Sequence, residues 1–268
     1  MLSLILSACK SVSVPQKEEP SPSLFFKNIE AVDPNYLSLF FTLEIEDHAH
    51  STEMANIESW QVELNGRRVS SGFSLDYPAA DVFKESSPLR LNMDMAALAA
   101  QGLAPADDYK VKLTLELGFP NLAARVEVSG LAAVSGVQAP VFSITAIAIL
   151  KAELINTRFR VTMNIDNPNP FPVDLSAFSY VLYGNGLLWA DGTETDVMRI
   201  PAKSSLEGNL FLLMNFIDMN RDLLDQIINL VDVNYRFAGD AQVITGVDYL
   251  PRFKTGFDLS GYSQVLER

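Results

Sequence analysis

Cysteine and histidine are almost missing from this chain of 268 residues: one cysteine, Cys9, and two histidines, His48 and His50. A single thiol excludes any disulfide within the chain. It also leaves metal and thiol chemistry little to work with. Basic charge is scarce as well. Twenty Lys and Arg face 33 Asp and Glu, a net charge of −13. That balance repels phosphate backbones and argues against nucleic acid as a partner. It also repels an anionic bilayer surface, so attachment to a membrane needs something other than charge. No run of about 18 apolar residues offers a spanning helix. There is no Gly-rich phosphate loop, no Gly-x-Ser-x-Gly elbow and no Cys/His dyad. Hydrolase and transferase readings have no residues to stand on. The expectation is a non-enzymatic protein with no catalytic residue, no metal and no cofactor.

What is present is apolar. Hydrophobic residues make up 48% of the chain, enough for one large core or two ordinary ones. The first of the apolar runs ends in Leu6-Ser7-Ala8-Cys9, which resembles a bacterial lipobox: a branched residue, two small ones, then cysteine. The resemblance implies that the Cys9 thiol receives a diacylglycerol and that the chain is cut before it, residues 1–9 being the signal remnant. A full signal segment has about 15–30 residues and a basic start. The run here has neither, so the expected start lies upstream of Met1 or the segment has been trimmed. Residues 10–23 are polar and proline-rich and read as a tether. Acyl chains, each buried methylene contributing about 0.8 kcal/mol, would hold the protein on a membrane despite its charge. Lys10, by resemblance to enterobacterial lipoproteins, favours the outer membrane, facing the periplasm.

Beyond the tether the chain repeats itself. In "YLSLFFTLEIED", Leu37, Leu39, Phe41, Leu43 and Ile45 alternate with polar residues, as in a half-buried strand. "RFRVTMNID" does the same, with Phe159, Val161, Met163 and Ile165 set against Arg158, Arg160, Thr162, Asn164 and Asp166. Subtracting 120 from 159, 161, 163 and 165 gives 39, 41, 43 and 45, so the phase is shared. The same offset carries Tyr180 onto Trp60, Asn185 onto Asn65, Gly186 onto Gly66 and Gly192 onto Gly72. Asn-Gly between alternating apolar positions is a strong hairpin signal, because both turn residues need positive φ. Matching phase and matching turns predict a duplicated domain. Its copies are expected over 24–135 and 140–265, with the joint in Ser135–Val141. Each copy reads as an initial strand, the long alternating strand, a hairpin, one short helix and closing strands. The helices are "DMAALAAQGL" and "FIDMNRDLLDQIINLV". The fold class expected is mostly β: two tandem antiparallel β-sandwiches, immunoglobulin- or fibronectin III-like, each with one short helix.

A proline-rich break, Asn167-Pro168-Asn169-Pro170-Phe171-Pro172, follows the second alternating strand. Proline cannot donate to a ladder and keeps its predecessor extended. The break therefore ends pairing without coiling the chain, and lets the strand cross from one sheet to the other. Asn167 and Asn169 are placed to bond the freed backbone groups. "NIDNPNPFPVDLSAFSYVLYGNG", with Gly184-Asn185-Gly186 closing it, resembles the Asn-Pro-rich motif of the LEA type 2 family, also called the WHy (water stress and hypersensitive response) domain. The resemblance covers Val141–Leu259. Over Leu24–Val134, "DHAHSTEMA" stands where the prolines are, and the fold is carried to that copy by the offset. The resemblance implies a sandwich of about seven strands and a helix, a stress-protective role and, in some members, the holding of lipid.

Other candidates weigh less. His48 and His50 share a face with Glu46, Asp47 and Glu53 nearby, but under the offset they fall on Pro168 and Pro170, in a crossover loop. Asp76, Asp81, Asp191, Glu194 and Asp196 sit near turns with no spacing that singles out an acid–base pair. Trp60 and Trp189 lie near the hairpins and read as core. The expected function is that of a lipid-anchored envelope protein acting by binding or protection. Carriage of a lipid or other hydrophobe in a slot between sheets, or docking in an envelope complex, are the alternatives.

Overall fold

The computed structural model describes residues 20–46, 55–78, 86–103, 105–119, 124–151, 157–214 and 232–267. Eight strands build the first half: β1 (Ser21–Asp33), β2 (Tyr36–Glu46), β3 (Asn56–Leu64), β4 (Arg67–Val69), β5 (Phe73–Asp76), β6 (Ser86–Asp94), β7 (Asp108–Phe119) and β8 (Ala124–Ser135). They form two four-stranded sheets, ordered β1-β2-β6-β5 and β4-β3-β7-β8. Helix α1 (Met95–Ala100) joins β6 to β7. Asp94 caps it, its Oδ1 accepting the Ala97 N–H at 3.0 Å, which satisfies one of the orphan donors of the first turn.

Eight more strands follow: β9 (Val141–Lys151), β10 (Thr157–Asn167), β11 (Val173–Gly184), β12 (Leu187–Glu194), β13 (Met198–Ile200), β14 (Ser204–Met214), β15 (Asp232–Val247) and β16 (Leu250–Glu267). One layer, β9-β10-β14, repeats the order β1-β2-β6. The other, β12-β11-β15-β16, repeats β4-β3-β7-β8. The chain is thus mostly β, with two sandwich-like domains, as its alternation predicts.

Two features depart from a strictly antiparallel repeat. The end of β16 pairs parallel with β9, Val265–Glu267 against Ile147–Ile149, and this joins the second domain's two layers along one seam. In the first domain β5 lies beside β6, whereas its counterpart β13 pairs with β11 in the opposite layer. The second helix expected from sequence, the His48–His50 loop, Asp81 and the Cys9 segment lie outside the described residues.

Each half buries its own core. Leu39, Phe41 and Leu43 pack with Val62, Leu91, Val111 and Leu115 in the first. Phe159, Val161, Met163 and Ile165 pack with Phe178, Phe237 and Phe257 in the second. The inward set of β10 is the one its alternation gives. On the other face Arg158 is exposed, while Arg160 is half-buried. Phase changes inside β11: Val173 and Leu175 are buried, then Phe178, Tyr180 and Leu182. A bulge between Ser176 and Ser179, with Ala177 at φ 49°, shifts the inward set by one residue.

Aromatic rings fill the space between the second domain's layers. Phe257 lies 4.9 Å from Phe142, 5.1 Å from Phe178 and 5.2 Å from Phe237, centroid to centroid. Trp189 stacks on Phe159 at 5.2 Å and is buried. Trp60, by contrast, is 38% exposed, so only one of the two tryptophans is core. Val137 belongs to the second core, so that domain's packing begins inside the joint.

Candidate functional site

The Asn-Pro break sits where three segments meet: the β10–β11 crossover, the β13–β14 turn and the joint between domains. Asn167 ends β10 with its side chain buried. Its Nδ2 donates to the carbonyl oxygens of Phe171 (2.8 Å), Pro201 (2.9 Å) and Ile200 (3.3 Å). Its Oδ1 accepts from the Asn169 N–H (3.0 Å) and from Asn169 Nδ2 (2.9 Å). Asn169 is fully buried. Its Nδ2 donates to the Gln138 carbonyl at 2.8 Å, its Oδ1 accepts the Gln138 N–H at 2.7 Å, and its own carbonyl accepts the Lys203 N–H at 2.9 Å.

The prolines explain the need for this network. Three residues without N–H groups strip the crossover of ladder donors, so nearby carbonyls need other partners. Two buried amides supply them. Such groups are costly when left unpaired, and here both asparagines are bonded at nitrogen and at oxygen. Neither titrates and neither is nucleophilic. The arrangement holds backbone in place.

Lys203 extends the clasp to the first domain. Its Nζ donates to the Pro168 carbonyl at 2.7 Å and pairs with Asp107 at 2.6 Å. Tyr249 contributes a further tie, donating from its hydroxyl to the Ser135 carbonyl oxygen. Burial pushes the Tyr249 phenol up to about 12, with Tyr109 nearby adding to the shift. Beside these contacts an open cleft of about 570 Å³ runs between the domains, walled by Met95, Leu103, Tyr109, Val137, Phe253 and Lys254 among others.

The hairpin turns share a second device. Asn65 and Asn185 adopt φ 51° and 49°, and Gly66 and Gly186 follow at 79° and 82°. Only residues tolerant of the left-handed region suit such a turn. Each asparagine also pins the neighbouring strand. The Asn65 N–H donates to the Lys110 carbonyl at 2.9 Å while its Oδ1 accepts the Lys110 N–H at 2.8 Å. Asn185 treats Asn234 the same way, at 2.8 and 3.1 Å. This second role has no signal in the sequence beyond the shared offset. Gly184 is required by close approach: a Cβ there would lie 2.0 Å from the Trp189 ring. At the equivalent positions the first domain has Leu64 and Val69, a large residue for a small one and a small one for a large.

Among the described residues no three of the carboxylates converge. Asp76 accepts from Asn92 Nδ2 at 2.7 Å. Tyr180 is raised above the usual tyrosine range, first by burial and then by the charges of Glu194 and Asp191. Among the described residues no group of three His, Cys, Asp or Glu is placed to hold a metal.

The model of the family described as "Late embryogenesis abundant protein" matches residues 162–252. The second domain belongs to the LEA type 2 family. The matched span opens within β10, contains the Asn-Pro break with Ile200, Pro201 and Lys203 and the Asn185-Gly186 turn, and closes in β16, while Gln138 and Asp107 lie outside it. No curated protein matches the chain. Among solved structures, a protein from Archaeoglobus fulgidus is similar at 16% identity and a TM-score of 0.31, over 48% of this chain and 97% of that one. A β-glucuronidase from Bacteroides uniformis is similar at 12% identity and a TM-score of 0.25, over 84% of this chain and 26% of that one. The LEA type 2 domain thus has its family motif built into its crossover, with the asparagines turned inward onto backbone.

Proposed function

We propose that this is a non-enzymatic lipoprotein of the bacterial envelope, anchored through Cys9, whose two sandwich domains protect or bind envelope components under stress. The observation that carries this reading is the family match over 162–252, on a domain whose motif side chains serve as scaffold rather than as reactive groups. The lipobox-like Leu6–Cys9 and the polar tether behind it support the anchor and the outer-membrane location. The filled aromatic interior of the second domain argues against the rival in which lipid is carried in a slot between its sheets. An acyl chain there would have to displace stacked rings that are already in contact.

Two measurements test the proposal. Cys9→Ser is expected to release the protein from the membrane fraction; equal retention of wild type and variant would remove the anchor. Cells lacking the protein are expected to survive drying or osmotic shock less well, and to regain survival with the wild-type gene but not with Cys9→Ser. Survival indifferent to the gene would remove the protective role.

A further inference from the structure

Among the described residues the second domain's sheet ends in two strands, β12 and β14, and the outer edge of β14 is the long regular one. In the first domain β5 closes the edge of β6. In the second, β13 goes to the opposite layer, and among the described residues nothing pairs with the outer edge of β14. Strand β12 of the other layer comes near it without forming a ladder. Natural edges are usually blunted by proline, lysine or a bulge. None of these is present here. Ser204–Met214 contains no proline and no lysine, and its eleven-residue register with β10 runs without a shift. Toward its end Phe211 and Leu213 stand 67% and 60% exposed.

The outer face of this edge is polarised along the strand. One end carries Arg158 and Arg160 on β10, paired in register with Leu213 and Phe211. The Arg160 guanidinium has its Nε buried without a hydrogen-bond partner among the described residues. The other end carries Asn164 and Asp166, in register with Glu207 and Ser205. Asn209 lies midway, between the basic apolar end and the acidic end.

We propose that β14 pairs antiparallel with β14 of a second copy of this chain, across a two-fold axis at Asn209. That register opposes Glu207 to the other copy's Phe211, and Ser205 to its Leu213. Across the joined sheet the row Arg160, Phe211 then continues into the other copy's Glu207. The row Arg158, Leu213 continues into its Ser205 and Asp166. The basic end of each copy thereby lies beside the acidic end of the other, twice by symmetry, and Phe211 and Leu213 each gain a cross-strand neighbour on their open side. A two-fold interface needs this self-complementarity, and an exposed, regular edge supplies the backbone bonds.

The test uses the full chain carrying Cys9→Ser, which has no other thiol. Sedimentation equilibrium is expected to show a reversible dimer. Adding Asn209→Cys should give a disulfide-linked dimer under mild oxidation, and Ser205→Cys should not, since the two Ser205 positions lie far apart in this register. Phe211→Glu places like charges opposite Glu207 twice, and should weaken the dimer about tenfold or more. Adding Glu207→Lys to it should restore association. A monomer at every concentration, equal cross-linking of the two cysteine variants, or failure of the charge swap to rescue would each overturn the proposal. The second of these outcomes would leave association through some other surface.

Discussion

The side-chain amide of Asn169 holds the peptide unit of Gln138 on both sides, donating to its carbonyl oxygen at 2.8 Å and accepting its N–H at 2.7 Å. The contact joins the family's Asn-Pro motif to the joint between the two domains. It reads no side chain of Gln138, so the contact asks of position 138 only a backbone N–H and C=O, whereas at 169 it needs the amide.

Asn169→Asp keeps the shape and removes the donors. The carboxylate would face the Gln138 carbonyl and the Asn167 Oδ1 with nothing to give either, and would be charged in a buried place. A loss of about 3 kcal/mol or more is expected for the second domain. Urea unfolding measures it. A loss below about 1 kcal/mol would mean that water enters the clasp freely.

The facing of β10 gives a sharper contrast. Val161 is fully buried, so Val161→Asp should cost several kcal/mol and unfold the second domain. Arg158→Asp, on the exposed face, should change stability by less than about 0.5 kcal/mol. Arg160 is the poorer control because its stem is half-buried. Circular dichroism melts of the two variants decide the matter, and similar losses would contradict the facing.

Gly184 and Trp189 should be coupled. Gly184→Leu alone forces the new side chain into the indole, which a Cβ already meets at 2.0 Å. Combining it with Trp189→Val reproduces the first domain's Leu64 and Val69. The double variant is expected to recover about 1–3 kcal/mol relative to the sum of the singles. Additive losses in a double-mutant cycle would rule out the compensation.

Tyr249 sets an alkaline limit. Its phenol is held up to about 12 in the folded chain, against about 10 when unfolded. Between those values the folded state retains a proton that the unfolded state has lost. Stability from this group is full below about pH 10 and declines as pH rises toward 12. Tyr249→Phe should flatten that part of the stability–pH curve, as read by urea midpoints at pH 9 and above. An unchanged slope would show that the phenol titrates alike in both states.

How much of this was legible depended on the physics behind each signal. The period-2 patterns of Leu37–Ile45 and Phe159–Ile165 foretold their buried faces, because alternation follows from the pleat alone. Asn65-Gly66 and Asn185-Gly186 foretold hairpins, because the turn demands positive φ. The bonding partners of Asn167 and Asn169 were only half legible. Freed carbonyls could be inferred from the prolines, but Gln138, Ile200 and Pro201 are brought there by tertiary folding. The bulge at Ala177 had no sequence mark, and alternation across it could not be phased. The transfer of β13 to the other layer is likewise a choice between two sheets that offer the same local pairing. Trp60 and Trp189 look alike in sequence, and their different burial is set by what lies opposite each strand.

The seam between β16 and β9 joins Val265 to Ile147, positions 118 apart by subtraction. Bringing such distant stretches together carries a large loop-closure cost before any reward is gained. The layers of the second domain should therefore form separately and zip along this line last. Once it is closed, the domain should first part at the opposite edge, where β12 and β14 approach without a ladder, opening like the cover of a book about this spine.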